Sequence, residues 1–164
     1  MSSSKCPVPK EQQPTNEFLE LSNSLFFALA KNNKQFLIII ITVWLVSFLF
    51  FLVISSGSAY FNRDLLKYIF LSFFGSLSIP LLITIRLLLG WNHIYKRLTS
   101  EIIEYEESGW YDGQIWMKPI ELKEKESLIA TIEVKPILKD LTQAISIIIS
   151  IILIGILILQ YNNI

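Results

Sequence analysis

Five carboxylates lie close together in the middle of the chain: Glu101, Glu104, Glu106, Glu107 and Asp112. Acids alternating along a strand could hold iron or another hard divalent cation, because such ions take oxygen ligands. Glu104, Glu106 and Asp112 are the set to test as a metal site; no other cofactor is expected. Paired carboxylates also serve acid–base chemistry. Nothing in this spacing forces them to converge, so no catalytic residue is assigned and the chain is not expected to be an enzyme. The competing reading is a solvated acidic face, neutralised by bases on the helix that follows.

The segment that must position these acids is residues 101–119, EIIEYEESGWYDGQIWMKP. It is the only long polar, aromatic-rich stretch between apolar blocks, and it reads as a β-hairpin. Ile103, Tyr105 and Glu107 fall on one strand face, and Glu104 and Glu106 on the other. Ser108-Gly109 and Asp112-Gly113 suit the positive φ of a tight turn. Ile115, Trp116 and Met117 form the returning strand. Pro119 ends it, since proline donates nothing to a ladder. Trp110, Tyr111 and Trp116 offer large apolar area with one polar handle each. Together with Cys6 they are the candidate interaction residues. Cys6 is the only cysteine, which excludes an intrachain disulfide and a cysteine-only zinc site. His93, the only histidine, has no partner at helical spacing. The chain has no Gly-rich phosphate loop, no HExxH and no nucleophile elbow.

The blocks around the hairpin are apolar enough for a bilayer. The chain of 164 residues is 52% hydrophobic, with mean hydropathy +0.52 and zero net charge. That balance gives no basic field for nucleic acid. Residues 35–62 and 141–164 carry no charge at all, and about 20 apolar helical residues suffice to cross a bilayer. Spans are expected at 36–55, 68–90 and 141–159. Pro80 is expected to kink the second, and Ser72, Gly75 and Ser76 give it a small-residue face for close packing. Beyond it a helical stripe of Trp91, Ile94, Leu98 and Ile102 continues, with Trp91 and Tyr95 expected at headgroup level. Thr15 or Asn16 is expected to cap a short helix with the stripe Phe18, Leu21 and Leu25, lying at the membrane surface or on the hairpin module. After the hairpin, Leu128, Ile129 and Ile132 are spaced for one side of a helix that Pro136 kinks or restarts.

The fold class is therefore a membrane α-helical protein: a two-span hairpin, a C-terminal third span and a small module containing a β-hairpin. The organisation is an N-terminal tail with a short amphipathic helix (1–35), two spans (36–90), a polar module (91–140) and a third span (141–164). Lys31, Lys34, Arg86, Lys96, Arg97, Lys135 and Lys139 flank spans on the module side, against Arg63 and Lys67 on the other. This asymmetry puts the module on the cytoplasm-equivalent side. The isoleucine and asparagine load suggests an AT-rich genome such as an organelle's; in a plastid that side is the stroma. Residues 1–14 show neither a signal-peptide nor a transit-peptide pattern, as expected of a protein made inside the organelle.

CPVPKEQQPTNEF near the start, LGWNHIYKRL, EYEESGWYDGQIWMKP and EVKPIL together resemble the plastid hypothetical-reading-frame family Ycf thirty-six. Its plant relatives form the conserved-in-the-green-lineage-and-diatoms family, number twenty-seven. ESGWYDGQ followed by WxKP is the specific part. The resemblance implies a multi-pass plastid membrane protein associated with iron homeostasis and brings no catalytic residues. The expected function is an assembly or interaction factor, with lipid and a protein partner or a second copy as its contacts. The alternative is a subunit of an oligomeric metal or small-solute transporter.

Overall fold

Each of the two units into which the protein divides is built from two separate stretches of chain. A polar unit takes Met1–Lys31 and Leu89–Leu138, and an apolar unit takes Asn32–Leu88 and Lys139–Ile164. The computed structural model describes residues 6–57, 65–106 and 113–161.

In the polar unit, α1 (Pro14–Asn23) starts on a proline at its first position, behind Gln13. The missing proline N–H costs nothing there, because first-turn donors have no partner within the helix. The start thus precedes the Thr15 or Asn16 cap that the sequence suggests. The buried face is Pro14, Phe18 and Ser22. Leu21 is only half-buried, and Leu25 lies exposed beyond the helix end.

Phe18 meets Trp91 edge-on, with ring centroids 6.2 Å apart. Trp91 belongs to the last part of α4 (Ser78–Thr99) and is fully buried. It is a core residue of this unit, not the headgroup-level anchor expected. Its indole N–H donates to the Phe27 carbonyl at 3.3 Å, which satisfies the one polar group that would otherwise seek water. Burying an indole of roughly 150–250 Å² contributes about 4–6 kcal/mol. Ile94 and Leu98 extend its buried stripe, but Ile102 leaves it, because α4 ends at Thr99.

Ile102 instead opens β1 (Ile102–Tyr105), which pairs antiparallel with β2 (Gln114–Met117). The register sets Ile103 against Trp116 and Tyr105 against Gln114. Ile103 and Tyr105 are buried and Glu104 and Glu106 exposed, the alternation that a period of two dictates. The connection from Glu107 to Asp112 lies outside the described residues.

Pro119 ends β2's extension and caps α5 (Ile120–Ile129). A π-helical turn, Ala130–Val134, joins α5 to α6 (Lys135–Tyr161). The wide turn comes just before Pro136, whose ring would clash with the Ile132 carbonyl in an uninterrupted α-helix. The buried positions here are Glu126, Ala130, Val134 and Ile137, whereas Leu128 and Ile132 are exposed. This reverses the inner face expected from the apolar residues.

In the apolar unit, α2 (Asn33–Ser55) is capped by the Asn32 side chain, which accepts from the Lys34 N–H at 3.1 Å. It packs antiparallel to α3 (Leu65–Ser76). The Tyr68 hydroxyl donates to the Leu52 carbonyl at 2.5 Å, Trp44 meets Phe73 edge-on, and Gly75 takes the Phe51 ring, which would lie 2.9 Å from any added Cβ. The helix breaks at Leu77 before α4 resumes, because Pro80 cannot donate to the Ser76 carbonyl. Ser72, Ser76 and Thr84 are fully buried and donate to carbonyls of their own helices, so none carries an unmet hydroxyl. Gly155 of α6 lies against the Phe74 ring, where a Cβ would overlap it. By length and composition, Asn33–Ser55, Leu65–Thr99 and Ile120–Tyr161 could each cross a membrane.

Candidate functional site

The polar unit gathers residues far apart in the sequence around the hairpin. Val8 is buried with Ile103 and Tyr105, and Cys6 and Trp116 pack against the same cluster. The prolines at 7 and 9 favour an extended backbone on either side of Val8, so the segment lies as a strap. Gln12 fastens it. Its amide donates to the Glu106 carbonyl at 3.0 Å, and its side-chain oxygen accepts from the Glu106 N–H at 2.9 Å. A primary amide has one donor and one acceptor side, so it copies the pairing of a neighbouring strand at the point where β1 ends. Gln13 ties the strap to itself by donating to the Val8 carbonyl at 3.1 Å.

Arg97 is the hub of the polar groups. It donates to the Gln12 carbonyl at 2.8 Å, and its Nε lies 3.1 Å from a Glu17 carboxylate oxygen. Burial pushes the Glu17 carboxyl above its usual 4.5, and the charges of Arg97 and then His93 pull it part of the way back. Arg97 and Glu104 line two open clefts. One, of about 280 Å³, also has Pro14, His93, Lys96, Ser100, Ile102 and Ile103 on its walls. The other, of about 310 Å³, is walled by Gln12, Tyr105, Glu106 and Gly113. A cleft with a fixed guanidinium beside exposed carboxylates can take a small polar or zwitterionic group.

Lys118 closes the unit from below the hairpin. Its backbone N–H donates to the Glu101 carbonyl at 3.0 Å and extends the ladder by one rung. Its ammonium donates to the Arg97 carbonyl at 2.8 Å and to that of Leu98 at 3.4 Å. It also lies 2.5 Å from Glu126 Oε2, with the two side chains 0% and 1% exposed. The last carbonyls of a helix lack intrahelical donors and carry partial negative charge, so an ammonium is favoured there. Glu126 then neutralises the ion. At the surface, Lys123 donates to Glu101 at 2.6 Å and holds that carboxyl below its usual range.

The family described as CGLD27-like, conserved in the green lineage and diatoms 27, matches residues 6–147. The chain belongs to this family. The uncharacterized protein ycf36 of Porphyra purpurea is 41% identical over 148 residues, 87% of each chain. The protein conserved in the green lineage and diatoms 27, chloroplastic, of Arabidopsis thaliana is 38% identical over 146 residues, covering 87% of this chain and 44% of that protein. The uncharacterized protein ycf36 of Cyanophora paradoxa is 36% identical over 145 residues, 88% of this chain and 91% of its own. The family is a plastid one. No solved structure matches the chain.

The CGLD27-like match begins at Cys6, where the described strap begins, and includes the whole described hairpin. Of the metal candidates, Glu104 and Glu106 are exposed at the rim of the clefts, while Asp112 lies outside the described residues. Among the described residues no three His, Cys, Asp or Glu side chains gather as a metal group. Of the interaction candidates, Cys6 and Trp116 share one cluster, and Trp110 and Tyr111 lie outside the described residues. Gln12, Glu17, Lys118 and Glu126 are not among the candidate site residues of the sequence, and Arg97 figures there only as a base flanking a span. Four of them stand in the stretches that carry the family resemblance: Gln12 and Glu17 in CPVPKEQQPTNEF, Arg97 in LGWNHIYKRL, and Lys118 as the lysine of WxKP; Glu126 stands in none.

Proposed function

We propose that this CGLD27-like chain is a multi-pass plastid membrane protein that acts as an assembly or interaction factor in iron homeostasis, with its polar unit facing the stroma. One observation carries the interaction reading. The outer face of the hairpin presents Ile115 at 66% and Met117 at 74% exposure, opposite the face that holds the core. Ile102, the register partner of Met117, is exposed too, as is Ile120 at the start of α5. Apolar side chains grouped on an otherwise polar surface suit a protein partner. The membrane reading is supported by the three long apolar helices. The strap and hairpin belong to one unit, which requires an even number of crossings between them. Basic residues flanking the spans favour the stromal side. The reading assigns no catalytic role.

The experiment is native electrophoresis of gently solubilised plastid membranes carrying the wild-type chain or Met117→Asp. A wild-type complex larger than the monomer, lost in the variant, supports the reading; a wild-type monomer overturns it. For the iron link, the detergent-purified protein is analysed for metal beside a variant with Glu104→Gln, Glu106→Gln and Asp112→Asn. Stoichiometric iron lost in the variant makes these carboxylates the site. No metal in either form leaves them as a solvated face.

A second reading, the subunit of an oligomeric metal or small-solute transporter, is favoured by Ser146 and Ser150. Both are exposed one turn apart on the apolar helix α6. Hydroxyls on such a face suit close helix packing with another copy. A purely monomeric detergent-purified protein would exclude it.

A further inference from the structure

We infer that the turn at Leu25 and Phe26 is a lipid anchor, seated in the headgroup boundary of a membrane that carries anionic lipid. The inference rests on the reading that the apolar helices cross a bilayer.

The turn is rigidly held. The Ser24 hydroxyl accepts from the Phe27 N–H at 3.1 Å, and the Ala28 N–H donates to the Ser24 carbonyl at 3.0 Å. Phe27 is pinned on its far side: its carbonyl takes the Trp91 indole, and its ring fills the space where a Cβ at Gly90 would stand. Phe26 packs edge-on against Phe27, with centroids 5.2 Å apart. What this frame holds outward is Leu25, 93% exposed, with Phe26 and Leu19 also exposed. An apolar tip ordered before it binds has already met most of the entropy cost of ordering.

Two features choose lipid as the occupant. Lys31 and Lys34 follow Leu25 by six and nine positions in the chain and are exposed, and the sequence has no acid between Glu20 and Asp64. Such a flank complements anionic headgroups. The apolar helix α2 begins at Asn33, eight residues after Leu25, so the chain keeps the tip within short reach of the first crossing. An apolar tip flanked by basic residues is the composition of an interfacial anchor.

The test uses the full chain in phosphatidylcholine–phosphatidylglycerol vesicles. In a Cys6→Ser background, single cysteines are placed by Leu25→Cys, Lys125→Cys on exposed α5 and Ile147→Cys on α6, and each is labelled with a nitrobenzoxadiazole fluorophore. The label at 25 should be blue-shifted, quenched by shallow spin-labelled lipid and protected from iodide. The label at 125 should be open to iodide, and that at 147 quenched by deep spin-labelled lipid. If the label at 25 is open to iodide while that at 147 responds to lipid, the anchor is overturned and the membrane reading stands. If 147 is also open to iodide, the membrane reading fails and takes the anchor with it. A label at 25 shielded from both quenchers means a protein covers the turn, which also overturns the proposal. Equal protection in vesicles of phosphatidylcholine alone overturns the anionic-lipid part.

Discussion

Lys118 and Glu126 form an ion pair shut off from solvent at the end of α4, with 2.5 Å between ammonium and carboxylate. The ammonium also reaches the Arg97 and Leu98 carbonyls. One lysine thus ties the end of α4, the end of β2 and the second half of α5. Removing one partner leaves a buried charge without its counterion. Lys118→Met should therefore destabilise the polar unit by about 3–5 kcal/mol. Lys118→Met with Glu126→Leu should recover most of that loss, because an apolar pair of similar volume avoids the desolvation of two ions. Thermal unfolding of the detergent-purified protein compares the three; equal losses in the single and double variants would refute the pairing as the cause.

Gln12 offers a second, independent test. Gln12→Ala removes both hydrogen bonds to the Glu106 backbone, an expected loss of about 1–2 kcal/mol. Hydrogen exchange at the Glu106 amide should speed up, while the Leu98 amide inside α4 stays slow. Gln12→Glu keeps the acceptor and loses the donor, so it should fall between.

Gly155 is expected to tolerate no side chain. Gly155→Val drives the new atoms into the Phe74 ring, and overpacking of this kind costs about 1–3 kcal/mol. Phe74→Ala in the same chain should restore part of the loss by making room. Resistance of the apolar helices to proteolysis is the readout.

The pH response should carry two opposite signs. Glu17 titrates above its usual 4.5 in the folded chain, so the folded state holds that proton more firmly than the unfolded. Its contribution to stability is fully present below 4.5 and declines as pH rises through the raised value. Glu101 is held below 4.5 by Lys123, so its contribution is present above 4.5 and lost as pH falls through the lowered value. Relative to wild type, Glu17→Gln should gain stability as pH rises through its window. Glu101→Gln should show a smaller effect at lower pH, since that pair is exposed.

Local periodicity made part of this structure legible. The alternation of Ile103 and Tyr105 with Glu104 and Glu106 carries the hairpin within a few residues, and the uncharged runs announce α2 and α6 by length alone. The assembly of the polar unit was not legible, because Gln12 with Glu106, Glu17 with Arg97 and Lys118 with Glu126 pair across the chain and leave no repeat. Leu128 and Ile132 misled for a different reason. Charges surround α5, so apolar character no longer marks its inner face, and buried Glu126 faces inward because Lys118 is there to meet it. Trp91 looked like an interfacial tryptophan only because its hydrogen-bond acceptor, the Phe27 carbonyl, lies 64 positions away.

The strap has a consequence for biosynthesis. Gln12 leaves the ribosome 94 residues ahead of Glu106, and at 5–20 residues per second that separation is roughly 5–20 s. A hairpin itself closes in about 1–10 μs. The strap therefore waits for its partner strand, and the clock for completing the unit is translation. Throughout that wait Val8, Pro14 and Phe18 have no native surface to cover them. Over that interval the strap and α1 are open to mispairing with their neighbours.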